Sequence, residues 1–171
     1  RMSEEYQAAI ATLLDRCGGR QSEFRGQTTV FLPPDQIADA CLILRDEFGF
    51  NMLSSETAVD YWPENDPRFH ILYQLLSIGR KERLGLRVAL SGSEPVLPTI
   101  EGVFPNANWF EREIWDLFGV RFDGHSDLRR ILMPFEWEGH PLRKDYPLGY
   151  EEVQFTFNFD EIEVRKPYAK E

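Results

Sequence analysis

A chain of 171 residues, 42% hydrophobic and 28% charged, has the size and balance of one soluble globular unit with a real core. Its formal net charge of −10 argues against a nucleic-acid binder, which needs a basic face, and its 13% aromatics argue against simple disorder. No apolar run approaches the ~20 residues of a membrane-spanning helix, and the opening RMSEEYQAAIATLL is acidic and amphipathic, unlike a targeting signal.

Along the chain, Tyr6, Ile10, Leu13 or Leu14 and Cys17 share one helical face that Gly18-Gly19 ends. QSEFRGQTTVFLP reads as a hairpin turning near Gly26, with Thr28–Leu32 its better strand. A helix is predicted from Asp35 to Phe48, where Ile37, Cys41, Leu44 and Phe48 repeat on one face and Gly49 stops it. Residues 50–62 predict a strand running into a loop at Pro63–Pro67. RFHILYQLLSIG and RLGLRVALSG form a further hairpin about Gly79-Arg80-Lys81-Glu82. The order α-β-β-α-β-β-β predicts an α+β fold, a two-layer α/β unit with helices on one face of a mixed sheet. Cys17 and Cys41 fall at apolar helix positions and read as small buried hydrophobes in a reducing compartment. Two isolated thiols cannot hold an iron–sulfur cluster.

Beyond Pro95, Pro98 and Pro105, which predict a stiff extended connection, charge, glycine and proline dominate. The organisation expected is an α+β domain over 1–104, a helix with docking loops packed on it over 105–148, and an extended C-terminal arm over 149–171. Asn108 with Glu111 resembles a capping box, so a helix is expected from Trp109, with Gly119 as its C′ residue. Phe110, Ile114 and Leu117 would face the core. Trp109, Arg112, Glu113 and Asp116 would occupy the opposite arc, with Arg112 and Asp116 as an i, i+4 pair. Paired carboxylates fit an acid/base or metal site or a solvated face; arginine, carboxylates and tryptophan together fit an interface better.

VRFDGHSDLRRILMP and FEWEGHPLRKDYPL add His125, Asp127, Arg129, Arg130, His140, Arg143, Lys144 and Asp145. A zinc site from His125, Asp127, Glu136 and His140 matches no established ligand spacing. There is no nucleophile elbow, phosphate-cradling loop or dinucleotide fingerprint. In the tail, Val153, Phe155, Phe157 and Phe159 alternate with polar residues as in a half-buried strand, whose phenylalanine row needs a cover.

The ordered run Glu111-Arg112-Glu113-Ile-Trp-Asp116-Leu-Phe-Gly119, Gly124-His125, Asp127-Leu-Arg129-Arg130-Ile-Leu and Gly139-His140-Pro141-Leu-Arg143-Lys144-Asp145-Tyr-Pro147-Leu resembles the signature of the 30 kDa subunit family of respiratory complex I, the NADH–quinone oxidoreductase. It is dense over some 40 residues, with Ser126 where the family usually has proline. The resemblance implies a cofactor-free subunit of the hydrophilic arm, with NADH, FMN, iron–sulfur clusters and quinone on partner subunits. It would pack against the large quinone-site subunit, the 49 kDa homologue, and neighbouring iron–sulfur subunits. Its place would be peripheral, on the cytoplasmic side of a bacterial inner membrane or the matrix side in mitochondria, bound to the membrane only through the complex. The residues named from Trp109 to Asp145, with Phe155 and Phe157, would form the partner interface. The rivals are the equivalent subunit of a ferredoxin-, cofactor-420- or hydrogenase-type relative, a stand-alone metal enzyme using His125 and His140, and a proton-passing role for those histidines.

Overall fold

A computed structural model describes residues 3–147 together with Phe157, Asp160, Glu161 and Val164. Helix α1 (Glu4–Arg16) leads into the hairpin β1 (Arg20–Phe24) and β2 (Gln27–Leu32). Then follow α2 (Ile37–Asp46), β3 (Met52–Asp60), β4 (Phe69–Ser77) and β5 (Glu82–Leu90). The second half holds β6 (Val96–Pro98), α3 (Ala107–Phe118) and β7 (Arg121–Asp123). A short 3-10 turn, Pro34–Gln36, occupies the first part of the helix expected from Asp35.

The five long strands form one mixed sheet in the order β1-β2-β5-β4-β3. β2 pairs parallel with β5, and the other neighbours are antiparallel. The α-β-β-α-β-β-β reading is therefore correct in order, number and type. Period-2 alternation sets the register: Phe69, Ile71, Tyr73 and Leu75 of β4 point to one face with Leu84, Leu86 and Val88 of β5, and all are buried. Tyr6, Ile10 and Leu13 of α1 and Ile37, Cys41 and Leu44 of α2 close that face. Each such side chain is worth about 1.5–3 kcal/mol when fully buried.

The connection expected to be merely extended has a use. Val96, Leu97 and Pro98 pair in parallel with Arg121, Phe122 and Asp123, so β6 and β7 form a second small sheet around α3. Helix α3 packs on β3 and contributes Ala107 and Ile114 to the core. In the tail, Phe157 lies in a turn and is exposed, while Asp160, Glu161 and Val164 are helical, so the expected strand does not form at Phe157. Phe155 and the rest of that strand lie outside the described residues.

Candidate docking face

Helix α3 begins at Ala107, two residues before the expected start, with Asn106 as its N-cap. The capping box does not form. Asn108 lies inside the first turn, where its side-chain amide donates to Glu101 (3.2 Å) and Ser126 (3.3 Å). Glu111 instead turns inward and is fully buried, accepting from the backbone N–H of Ile100 at 2.8 Å and from the Thr99 hydroxyl. Burial pushes its carboxyl up to about 7 against those two hydrogen bonds.

Arg112 and Asp116, expected on the outer arc as a pair, are also buried, and each takes partners from the following loops. Arg112 donates to the carbonyls of Arg129 (3.2 Å) and Arg130 (3.3 Å) and stacks on Trp109. Asp116 Oδ2 accepts the backbone N–H groups of Ile131 (3.0 Å), Leu132 (2.8 Å) and Met133 (2.9 Å), and Oδ1 accepts from Arg130 at 2.6 Å. Burial raises the Asp116 carboxyl, but these bonds outweigh it and leave the group below the usual carboxylate range. Arg130 also reaches the carbonyls of Trp137 (2.7 Å) and Gly139 (2.9 Å), so one ion pair gathers three loop segments.

The helix ends at Gly119, left-handed at φ 73 as expected of a C-terminal glycine. A Cβ there would lie 2.5 Å from His140 and 2.6 Å from Arg143, so the returning chain fits only against glycine. His140 Nδ1 donates to the Asp116 carbonyl (3.0 Å), and its ring meets Trp115 edge-on. Burial lowers its basicity, aided by Arg143 and Arg130 and partly opposed by that carbonyl. Arg143 Nε donates to the Phe118 carbonyl, a free helix end that a cation suits.

A second anchor lies at the end of the sheet. The Arg68 guanidinium forks onto Asp60 (2.9 and 2.8 Å) and onto Asp145 (3.0 and 2.6 Å), with Trp62 and Phe69 beside it. Asp60 also accepts the backbone N–H of Lys144 (2.9 Å). Burial opposes ionisation of Asp60, yet Arg68 and the backbone N–H groups of Lys144 and Trp62 bring it down to about 2. Residues 143–146 are thereby strapped to the sheet. Arg68 and Asp60 were not among the expected site residues.

The two histidines do not converge. His125 Nδ1 accepts from the Asp127 N–H, so its Nε2 donates to the Asn108 carbonyl (3.1 Å) near the start of α3. His140 is bound to the carbonyl of Asp116, about 12 Å further along the helix axis. Among the described residues no group of three or more His, Cys, Asp or Glu is placed to hold a metal ion. Glu136 is exposed in its loop. The shared-metal arrangement of His125, Asp127, Glu136 and His140 is thus not present.

What this framework displays is apolar. Trp109 is 59%, Leu132 60% and Phe135 92% exposed, with Trp137 and Leu142 alongside in sequence. Glu113, Asp127, Arg129 and Lys144 are exposed among them. The expected site therefore divides: Glu111, Arg112, Asp116, Arg130, His125, His140, Arg143 and Asp145 build the loops, while Trp109, Glu113, Asp127, Arg129 and Lys144 stand outward. Ile131, Leu132 and Met133 were read as an apolar anchor, whereas Phe135, Trp137 and Leu142 were missed. Their signal was available: large apolar residues close to Pro134, Gly139 and Pro141 have no regular element to bury them.

A family model described as "Respiratory-chain NADH dehydrogenase, 30 Kd subunit" matches residues 30–152. The chain belongs to this family. The corresponding NADH-quinone oxidoreductase subunit of Roseiflexus sp. (strain RS-1) is 49% identical over 88% of this chain and 87% of its own length. That of Geobacter sulfurreducens is 46% identical over 86% of each. Among solved structures, the trypsin-resistant fragment of Nqo5 has a TM-score of 0.60 at 32% identity, covering 71% of this chain and 95% of the fragment. A chain of the membrane-bound sulfane sulfur reductase, an archaeal respiratory membrane complex, shares the fold alone, at TM-score 0.73 and 20% identity over 99% of this chain and 97% of that one. The resemblance drawn from residues 111–148 is correct at the level of the 30 kDa family.

Proposed function

We propose that the chain is a cofactor-free assembly subunit of the hydrophilic arm of a proton-translocating NADH–quinone oxidoreductase, without a catalytic site of its own. Residues 109–145 dock it on the large subunit that forms much of the quinone site, and neighbouring iron–sulfur subunits complete its surroundings. NADH, FMN, the clusters and quinone belong to those partner chains. The observation that carries this reading is the exposure of Trp109 on α3 and of Leu132, Phe135 and Trp137 on loops fixed from within by Asp116 and Arg130. Large apolar and aromatic side chains dominate interface energetics, and loops ordered before binding forfeit less entropy on association.

No helix among the described residues is long and apolar enough to cross a membrane, which fits a subunit held at the cytoplasmic or matrix side only through its complex. Co-purification with the large-subunit homologue, with and without residues 149–171, tests the reading. A stoichiometric complex without stoichiometric metal is expected, weakened at least about tenfold by Leu132→Asp. Failure of the intact chain to associate overturns it.

A further inference from the structure

Helices α1, α2 and α3 lie on one side of the main sheet. None of them covers its other face, whose composition departs from that of the chain. The registers place Arg20 of β1, Arg83 and Arg87 of β5 and His70 of β4 on that face. Not one outward strand position across β1–β5 is Asp or Glu, although the chain carries 29 acidic against 19 basic residues. Glu23, Glu56, Asp60 and Glu82 all fall on the helix side.

The cations are held in place without carboxylates. Arg20 and Arg87 lie over the Phe31 ring at 4.8 and 5.3 Å, and Arg87 donates to His70 Nδ1 (2.7 Å) and to the Tyr61 hydroxyl (2.7 Å). None of Arg20, Arg83 and Arg87 forms an ion pair among the described residues. A stacked guanidinium keeps donors for a planar carboxylate.

Gly85, at the centre of β5, leaves a gap in the same face. A Cβ there would lie 3.1 Å from the Thr29 hydroxyl and 3.4 Å from the Gln74 amide. Gly85 lines a cleft of about 590 Å³ with Thr29, Ser55, Gln74, Lys81 and Arg83, and the cleft reaches round the sheet end to Tyr6, Thr28 and Glu82 of the helix side. Glu82 is already bound to Ser3 and Arg80. Tyr61 and Trp62 join this face to the Arg68 anchor, so it is continuous with the strapped docking loops.

We propose that the open sheet face is a second docking surface, and that its occupant is a carboxylate-bearing polypeptide segment of a partner subunit. The proposal rests on the reading of the chain as an assembly subunit and adds an interface opposite to the helix layer. Hydroxyl, amide and guanidinium groups in a row suit Asp and Glu side chains on an extended segment, with Phe31 and Leu72 supplying the apolar floor.

The test uses the full chain assembled in its oxidoreductase complex, in a host lacking its own 30 kDa subunit. A benzophenone amino acid replaces Leu72 in one preparation and Leu132 in another, and irradiation is followed by mass spectrometry. The expected result is a Leu72-site adduct to one polypeptide at an Asp/Glu-rich segment, reduced about tenfold or more by Arg20→Glu with Arg87→Glu. The milder pair Arg20→Gln with Arg87→Gln should reduce it less, with unchanged thermal unfolding. An adduct to lipid, no adduct, or a protein adduct indifferent to both pairs overturns the proposal. An adduct at the Leu132 site with none at the Leu72 site overturns it while leaving the main docking face standing. The converse pattern sinks that main face and keeps this one.

Discussion

The sheet and the loops of residues 125–147 hold their shape by different means. The sheet is fixed by area: Phe69, Ile71, Leu75, Leu84, Leu86 and Val88 are buried against α1 and α2. The loops have little regular structure and are fixed by direction, through a few charged side chains that take backbone groups as partners. A core built on area tolerates volume-conserving swaps, whereas one carboxylate serving three N–H groups and an arginine has no substitute of equal reach. The molecule thus separates the part that keeps it folded from the part it presents.

Substitutions in the two parts should have separable effects. Asp116→Ala strands Arg130 and three N–H groups, at a cost of about 3–5 kcal/mol. Hydrogen exchange should accelerate at Ile131–Met133 while the amides of β4 and β5 stay protected. Equal loss of protection in the sheet would show one cooperative unit instead of two. Arg68→Ala, leaving buried Asp60 without its cation, should cost about 3–5 kcal/mol, against about 0–1 for Asp145→Ala, whose side chain is 38% exposed. Chemical denaturation separates these two. Leu86→Ala should cost about 2–5 kcal/mol in global stability and leave partner affinity unchanged wherever the variant is folded.

The next effect is one of pH. Glu56 is buried, with no hydrogen bond of normal length to either carboxylate oxygen, beside a Tyr73 hydroxyl in the same condition. Burial, then the Glu111 carboxylate, raise its pKa well above the usual range. A raised acid keeps its proton in the folded state after the unfolded chain has lost it. Stability therefore falls as pH rises above the ordinary glutamate value, by about 1.4 kcal/mol per pH unit for one group. Glu56→Gln should flatten that slope and raise the melting temperature at neutral pH; a slope unchanged in the variant would assign it elsewhere. Asp60 acts in the opposite sense. Its contribution is present above the ordinary aspartate value and is lost as pH falls toward about 2. Smallest in stability are Trp109→Ala and Arg129→Ala, expected within about 0.5 kcal/mol of the parent by thermal melting. Titration against the large subunit should show Trp109→Ala losing affinity about tenfold.

The same contrast governs what was legible before the structure. Strands such as 68–79 announce themselves because alternation is local, and Ile37, Cys41 and Leu44 reveal a helix for the same reason. The three-residue strands β6 and β7 could not be read, since Pro98 looks like a break and its pairing partner lies beyond a helix. Glu111 misled because a capping-box spacing is local, while Thr99 and Ile100, which claim its carboxylate, converge on it only in the fold. Arg112 and Asp116 were assigned outward because charge ordinarily means solvent. Loop carbonyls and N–H groups, which every residue carries and no sequence pattern marks, turn them inward.

The fork on Arg68 joins residues separated by 77 positions along the chain. Its arginine immediately precedes β4, and its distant aspartate follows the loops anchored on α3, so one buried cation ties those loops to the sheet. A copy with this fork open would keep its sheet core and the Asp116 anchor yet leave residues 143–146 unfastened from the sheet. Residues 143–146 are thus held in place only on chains in which the fork has closed.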